Sequence, residues 1–238
     1  MASTVTESAL PNHPYYPRDT LLPHYVPNSY SAIEVVTGFG LPVVLAAVAT
    51  FVLSGSKRPD SRLRRLSTAD RFACAWLIAT ASIHMFLEGY FVVTNRTIAG
   101  DMTFLAQTWK EYAKSDSRYM RSDLFTVCME GVTAFIEGPV CVLAALAIFK
   151  GSPHRHLLQL SVSIGQVYGL VLYYLTEVFA EKSNSDPYWL YYWVYFVAVN
   201  FIWAAVPTWI ATRAWCAMSA AVAASDEREL ALRTKKGQ

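Results

Sequence analysis

Charge is the first shortage in this sequence. Of its 238 residues 16% are charged and 54% hydrophobic, against about 25% charged in ordinary soluble domains. A water-soluble fold of this length would need more polar surface, so the deficit points to a bilayer. The formal net charge of +2 leaves no basic footprint for nucleic acid. Cysteine is scarce as well. Cys74, Cys128, Cys141 and Cys216 all lie in apolar stretches without metal-type spacing and read as small buried hydrophobes. There is no dinucleotide fingerprint, no phosphate-cradling glycine loop, no Ser-His-Asp arrangement and no His-x-x-x-His pair for zinc. The first 31 residues hold no short apolar core followed by a small-residue cleavage site. No cleavable signal peptide is expected, and the first span would act as the targeting signal.

Long apolar runs are what the sequence has in abundance. Five stretches, at 32–54, 70–94, 122–149, 157–180 and 189–216, are each long enough to cross a hydrocarbon core of about 30 Å at 1.5 Å per residue. The expected fold class is all-α: a polytopic membrane protein built as a five-transmembrane-helix bundle. Its expected parts are a lumenal N-terminal cap (1–31), a five-helix transmembrane domain (32–218) and a cytosolic C-terminal tail (219–238). The first part, with His13-Pro14-Tyr15-Tyr16-Pro17 and Val26-Pro27-Asn28, is too rich in proline for a helix. It reads either as an ordered irregular cap or as a disordered tail. Thirteen of the twenty Lys and Arg residues fall on one side of the five spans. The positive-inside rule makes that side cytosolic, with the N-terminus lumenal. The terminal Lys235-Lys236-Gly237-Gln238 matches a dilysine signal for return to the endoplasmic reticulum, or is a solvated basic end. Asn95-Arg96-Thr97 is a glycosylation sequon so near the membrane that it is expected to be unused.

Ionisable side chains inside a span are costly and face the bundle interior or a cavity. His84 and Glu88 lie four apart in the second span, on one helical face. Glu130, Thr133 and Glu137 share a face of the third. Gln166, Tyr173 and Glu177 form a stripe on the fourth, and Trp193, Asn200 and Trp203 one on the fifth. Turned toward one another, these stripes would enclose a pocket with apolar walls and a polar floor. For some of them a blander role stays open: interhelical glue for Gln166, a bond to a backbone carbonyl for Thr133, solvation for Glu177, packing for Trp193. His84, Glu88 and Glu130 are harder to assign to packing. A carboxylate beside an imidazole shares a proton that moves easily, which suits general acid and base catalysis. One His and two Glu make a weak zinc signal, so no metal is expected.

The chain resembles the emopamil-binding protein family of sterol delta-8,delta-7 isomerases over nearly its whole length. The resemblance rests on Ile83-His84-Met85-Phe86-Leu87-Glu88-Gly89-Tyr90-Phe91, on Trp109-Lys110-Glu111-Tyr112 through Ser117-Arg118-Tyr119, on Val127-Cys128-Met129-Glu130-Gly131-Val132-Thr133-Ala134, and on Gly165-Gln166-Val167-Tyr168-Gly169. It implies a five-helix bundle of the endoplasmic reticulum, usually a homodimer, holding a sterol between helices without a cofactor. It implies catalytic roles for His84, Glu88 and Glu130, with Thr133, Asn200 and Trp203 beside them. Glu137, Tyr119, Gln166, Tyr173 and Trp193 complete the expected substrate-binding set. The implied reaction protonates the alkene at carbon 9, passes through a cation at carbon 8 and loses a proton from carbon 7. Lipophilic amines, which copy the cation, would inhibit it. Two departures stand out. Leu170 follows Tyr168-Gly169 where the animal enzymes carry an aspartate, and Glu137 precedes Gly138-Pro139 where the relatives are apolar. Two alternatives share the scaffold: isomerisation or cyclisation of another terpenoid lipid, and a non-catalytic sterol- or amine-binding receptor.

Overall fold

The computed structural model describes residues 12–56 and 65–236, and among these it is helical with no strand. Residues 1–11 of the expected cap, the basic residues Lys57, Arg58, Arg62 and Arg64, and the end of the dilysine sequence lie outside the described residues. Five helices are long and apolar enough to span a membrane. They are α1 (Ala32–Leu53), α2 (Thr68–Thr94), α4 (Leu124–Lys150), α5 (Arg155–Val178) and α6 (Leu190–Lys235). A shorter helix, α3 (Phe104–Tyr112), lies between α2 and α4. The expected tail from 219 onward continues α6 as an exposed helix.

Local chemistry sets the ends of these helices. Ser31 and Glu34 close a capping box at the start of α1. Ser67, Thr103 and Asp123 accept from backbone N–H groups at the starts of α2, α3 and α4, satisfying donors that a helix start leaves free. Gly151 ends α4 at φ 65°, a left-handed conformation that glycine adopts without steric cost. Three spans are wound wide for a stretch, with π-helical turns at Ile83–Glu88 in α2, Thr133–Glu137 in α4 and Leu190–Val199 in α6. In α4 the cause is visible in the sequence. Pro139 follows the wide turn; it has no N–H to donate, and its ring crowds the carbonyl four residues back.

One end of the bundle is closed by a folded cap. Residues 12–31 form no helix up to Ser31, yet Tyr15, Leu22 and Tyr25 are buried with Ile98, Ala106 and Ala113. Gln107 on α3 holds this segment. Its side-chain oxygen accepts from the backbone N–H groups of Ser29 (2.8 Å) and Tyr30 (3.0 Å), and its amide donates to the Met102 carbonyl at 2.9 Å. The α5–α6 connection joins the same surface: Ser117 N–H donates to the Asn184 carbonyl (3.0 Å) and Asp186 N–H to the Lys114 carbonyl (3.1 Å). The N-terminal segment, the α2–α4 connection and the α5–α6 connection therefore share one side of the membrane, as segments separated by two spans must.

The opposite end packs on small residues. Ala73, Cys74, Ala81, Cys141, Ala144 and Ala145 bring α2 and α4 close, with Val162 of α5 and Ile210 of α6 against them, the usual arrangement where helices meet in lipid. α1 differs from the rest. Only Val35 of its 22 residues is buried, and Ile33, Leu41, Leu45, Val48 and Val52 face outward.

Replacing Gln107 by Leu would remove the acceptor shared by the Ser29 and Tyr30 N–H groups, at a cost of about 1–2 kcal/mol. The expected result is a melting temperature lowered by about 5 °C in the detergent-solubilised protein. An unchanged melting curve would show that the cap contributes nothing to stability.

Candidate active site

A cavity of about 430 Å³ lies between the spans, beneath the folded cap, within the usual range for a small-molecule site of about 300–1,000 Å³. Its walls are mostly apolar and come from α1, α2, α4, α5 and α6. Its polar groups form one connected chain. His84 Nδ1 and Glu88 Oε2 are 2.6 Å apart. The Thr133 hydroxyl meets the same Glu88 oxygen and lies 3.2 Å from Glu130 Oε2 and 2.9 Å from the Glu130 carbonyl. The Tyr119 hydroxyl donates to Glu130 Oε1. His84, Glu88 and Glu130 are all buried.

The wide turns build this cluster. The turn carrying His84 and Glu88 lies against the turn carrying Thr133, and Gly138 makes the approach possible. A Cβ on Gly138 would stand 2.6 Å from Met85 Cγ and 3.2 Å from His84 Cβ. π-helical turns inside α-helices occur often at functional sites. Here they place four polar side chains from two helices within hydrogen-bonding reach.

The cap closes the cavity and positions the Tyr119 hydroxyl. The Tyr119 ring stacks on Trp109 with centroids 4.3 Å apart and meets Phe91 edge-on at 4.9 Å. Trp109 Nε1 donates to the Leu87 carbonyl at 2.8 Å, tying α3 to the turn that bears Glu88. Burial pushes the Tyr119 phenol well above its ordinary range, and the neighbouring Glu130 charge pushes it further. Tyr119 therefore stays a neutral donor. Arg118 anchors the same loop: it is paired with Asp116 at 2.7 Å, donates to Thr176 Oγ1 at 2.6 Å and lies 4.6 Å from the Tyr173 ring centroid.

A threonine hydroxyl carries one proton and two acceptor sites. It can donate to only one of the two carboxyl groups it touches. The other contact becomes a hydrogen bond only when that carboxyl supplies the proton. The two carboxyls, the hydroxyl and the imidazole thus form a unit in which one proton moves between neighbours in short steps, which is the capability general acid–base chemistry needs.

Ten of the eleven residues expected at the site line the cavity: His84, Glu88, Tyr119, Glu130, Thr133, Glu137, Gln166, Tyr173, Asn200 and Trp203. Trp193 does not. It is 62% exposed on the outside of α6. The expectation placed it on the face of Asn200 by α-helical spacing, but Leu190–Val199 is wound as a π-helix. Its i→i+5 bonds take more residues per turn, so seven residues no longer return to the same face. Glu177 is also outside the cavity. It accepts from Asn184 N–H (2.8 Å), Asn184 Nδ2 (2.6 Å) and the Ser183 hydroxyl (2.9 Å), ordering the connection to α6. Asn200 both lines the cavity and binds across helices, donating to the Tyr112 hydroxyl at 2.8 Å and the Phe196 carbonyl at 2.7 Å. Tyr112 was not singled out from the sequence, nor was the wall given by Val36, Phe39, Val43 and Val44 of α1.

Residues 104–214 match the EBP family profile, described as EXPERA, the expanded EBP superfamily. The 3-beta-hydroxysteroid-Delta(8),Delta(7)-isomerase of Cavia porcellus is 40% identical over 205 residues, covering 85% of this chain and 87% of that protein. The chain belongs to the EXPERA family. The isomerase of the same name from Rattus norvegicus is 41% identical over 209 residues, again covering 85% and 87% of the two chains. Another EXPERA relative, protoglabretal synthase of Ailanthus altissima, is 33% identical over 219 residues, or 92% of this chain and 97% of that one. The family profile spans α3 and Tyr119 of the cap, Glu130, Thr133 and the α5 and α6 walls of the cavity; His84 and Glu88 precede it and are joined to it through Thr133. An EXPERA protein with five apolar spans is a multi-pass membrane protein.

Thr133→Val would remove the bridge between Glu88 and Glu130 while keeping the volume. A hydrogen bond to a charged group is worth about 1.5–3 kcal/mol, so turnover is expected to fall about 10- to 100-fold with little change in KM. Full turnover in a steady-state assay would show that the bridge has no part in proton movement.

Proposed function

We propose that this protein is a sterol isomerase that moves a carbon–carbon double bond from the delta-8 to the delta-7 position. The observation that carries this reading is the joining of His84, Glu88 and Glu130 through one threonine hydroxyl in the wall of an otherwise apolar cavity. The names and extent of the animal relatives agree with it. The reaction adds a proton at carbon 9, holds a cation at carbon 8 and removes a proton from carbon 7. It needs an acid, a base and something to steady positive charge.

The His84–Glu88 pair is assigned to proton delivery. Glu130, oriented by the donating Tyr119 hydroxyl, steadies the cation and helps to remove the proton. A carboxyl held in place beside developing charge in a site with apolar walls is the larger source of stabilisation. Trp203 lines the same cavity, and its ring adds a cation–π contact of about 2 kcal/mol when desolvated. Lipophilic amines would occupy the position of the cation. The remaining elements of the reading are a homodimer in the endoplasmic reticulum membrane, with the folded cap lumenal and the C-terminus cytosolic. The distribution of Lys and Arg supports that orientation.

The same acid–base unit would serve another triterpenoid skeleton, and the plant synthase relative gives that second reading its support. Purified protein incubated with a delta-8 sterol in deuterated water is expected to give a delta-7 product carrying one deuterium at carbon 9. Glu130→Gln should lower the rate by at least 100-fold. Undiminished activity of that variant would overturn the role of Glu130, and no product from the wild type would overturn the isomerase itself.

A further inference from the structure

His84 has two ring nitrogens, and they face different partners. Nδ1 lies 2.6 Å from Glu88 Oε2. Nε2 lies 3.3 Å from the amide nitrogen of Gln166, a side chain on α5. His84 is 3% exposed and Gln166 5%, so each ring nitrogen depends on the partner it has within the protein.

An amide nitrogen donates and does not accept, whereas a neutral imidazole donates through one nitrogen and accepts at the other. Which nitrogen carries the proton is set by the bond that the other makes. Here the two contacts agree. A carboxylate oxygen at Nδ1 calls for a proton there, and an amide N–H at Nε2 calls for none. The amide nitrogen also reaches Cys141 Sγ at 3.6 Å, while the amide oxygen has no partner among the described residues. Gln166 thus binds through its nitrogen. Turned end for end, the amide would set its oxygen against Nε2, a contact that forms only when Nε2 carries a proton. That state either takes the proton from Nδ1, where Glu88 receives it, or makes the ring a cation in the hydrocarbon layer, where charge is costly.

We propose that Gln166 is a positioning residue that keeps His84 in the tautomer with its proton on Nδ1, so that the imidazole exchanges a proton with Glu88 alone and Glu88 is the member of the pair that meets the alkene. This deepens the isomerase reading and rests on it. When Glu88 protonates carbon 9, the π electrons of the alkene form the new C–H bond and the O–H electrons stay on the carboxylate. The His84 Nδ1–H and the Thr133 hydroxyl donate to that charge. Nε2, held by Gln166, neither gives nor takes a proton.

The test is nitrogen NMR of the full chain in lipid nanodiscs, isotopically labelled at histidine, with His84 identified by the signals lost in His84→Gln. Protonated and proton-free ring nitrogens resonate far apart, and a proton-free nitrogen shifts when it loses a hydrogen bond. Wild-type His84 is expected to carry a proton on Nδ1 and none on Nε2. A protonated Nε2 would overturn the proposal. Gln166→Met, close in length but without a donor, should move the Nε2 resonance toward that of an unbonded nitrogen, and an unmoved resonance would also overturn it. Gln166→Glu, which offers an acceptor, should bring a proton to Nε2. With a delta-8 sterol, kcat is expected to fall about three- to tenfold in Gln166→Met and further in Gln166→Glu, with KM within about twofold. A loss carried by KM instead would count against the proposal, since Gln166 would then act on the substrate and not through His84. The Met variant, apolar in an apolar span, carries the test whether or not the Glu variant folds. If the wild type turned over no sterol, the isomerase reading would fail by itself. The ring-nitrogen pattern of wild type and variants would still decide whether Gln166 sets the tautomer.

Discussion

The architecture depends on one constraint: a polar side chain in the hydrocarbon layer must find its partner on another helix, because water is not there to supply one. In this protein the partner is the Thr133 hydroxyl. It receives Glu88 from α2 and Glu130 from its own helix, and the groups beyond them continue the chain to His84 on one side and Tyr119 on the other. The wide turns in α2 and α4, the glycine between them and the cap that delivers Tyr119 all serve that meeting. Small residues hold the far end of α2 and α4 together, so the space between the polar centre and the aromatic cap stays open.

The same constraint explains what could be read from the sequence. His84, Glu88, Glu130, Glu137 and Gln166 stand out because each is polar in an apolar run, and the bilayer leaves such residues few places to point. Tyr173, Asn200 and Trp203 follow from α-helical spacing, which holds where the helix is regular. Trp193 marks where that inference fails: periodicity is blind to a helix that changes its winding. The contribution of α1 was illegible for the opposite reason. A span that is uniformly apolar presents no face to choose, so its role as a cavity wall leaves no pattern. Tyr112 belongs to a short cap helix whose placement depends on contacts far apart in sequence, such as those of Gln107 with Ser29 and Tyr30.

Packing and chemistry are joined in the cap. Trp109 supports the Tyr119 ring by stacking and binds the Leu87 carbonyl through its indole N–H. Arg118 spans from the Asp116 pair to Thr176 and the Tyr173 ring. These contacts fix a neutral phenol against Glu130 with little rotational freedom, which is the preorganisation a carboxylate needs if it is to meet a transient cation without first rearranging.

The wide turns also bear on how such a site can be gained or lost in evolution. A π-helical turn corresponds to one more residue than an α-helix needs over the same rise, and each residue advances an α-helix by about 100°. Deleting a single residue between Ile83 and Glu88 would let α2 relax to regular winding and would rotate one half of the span against the other. With Met85, Phe86 or Leu87 deleted, the His84–Glu88 pair would no longer meet Thr133, although all but one of the apolar residues that hold the helix in the membrane would remain. A one-codon change could thus silence the chemistry while sparing the scaffold, and the reverse insertion could awaken it in a chain that had only bound its lipid.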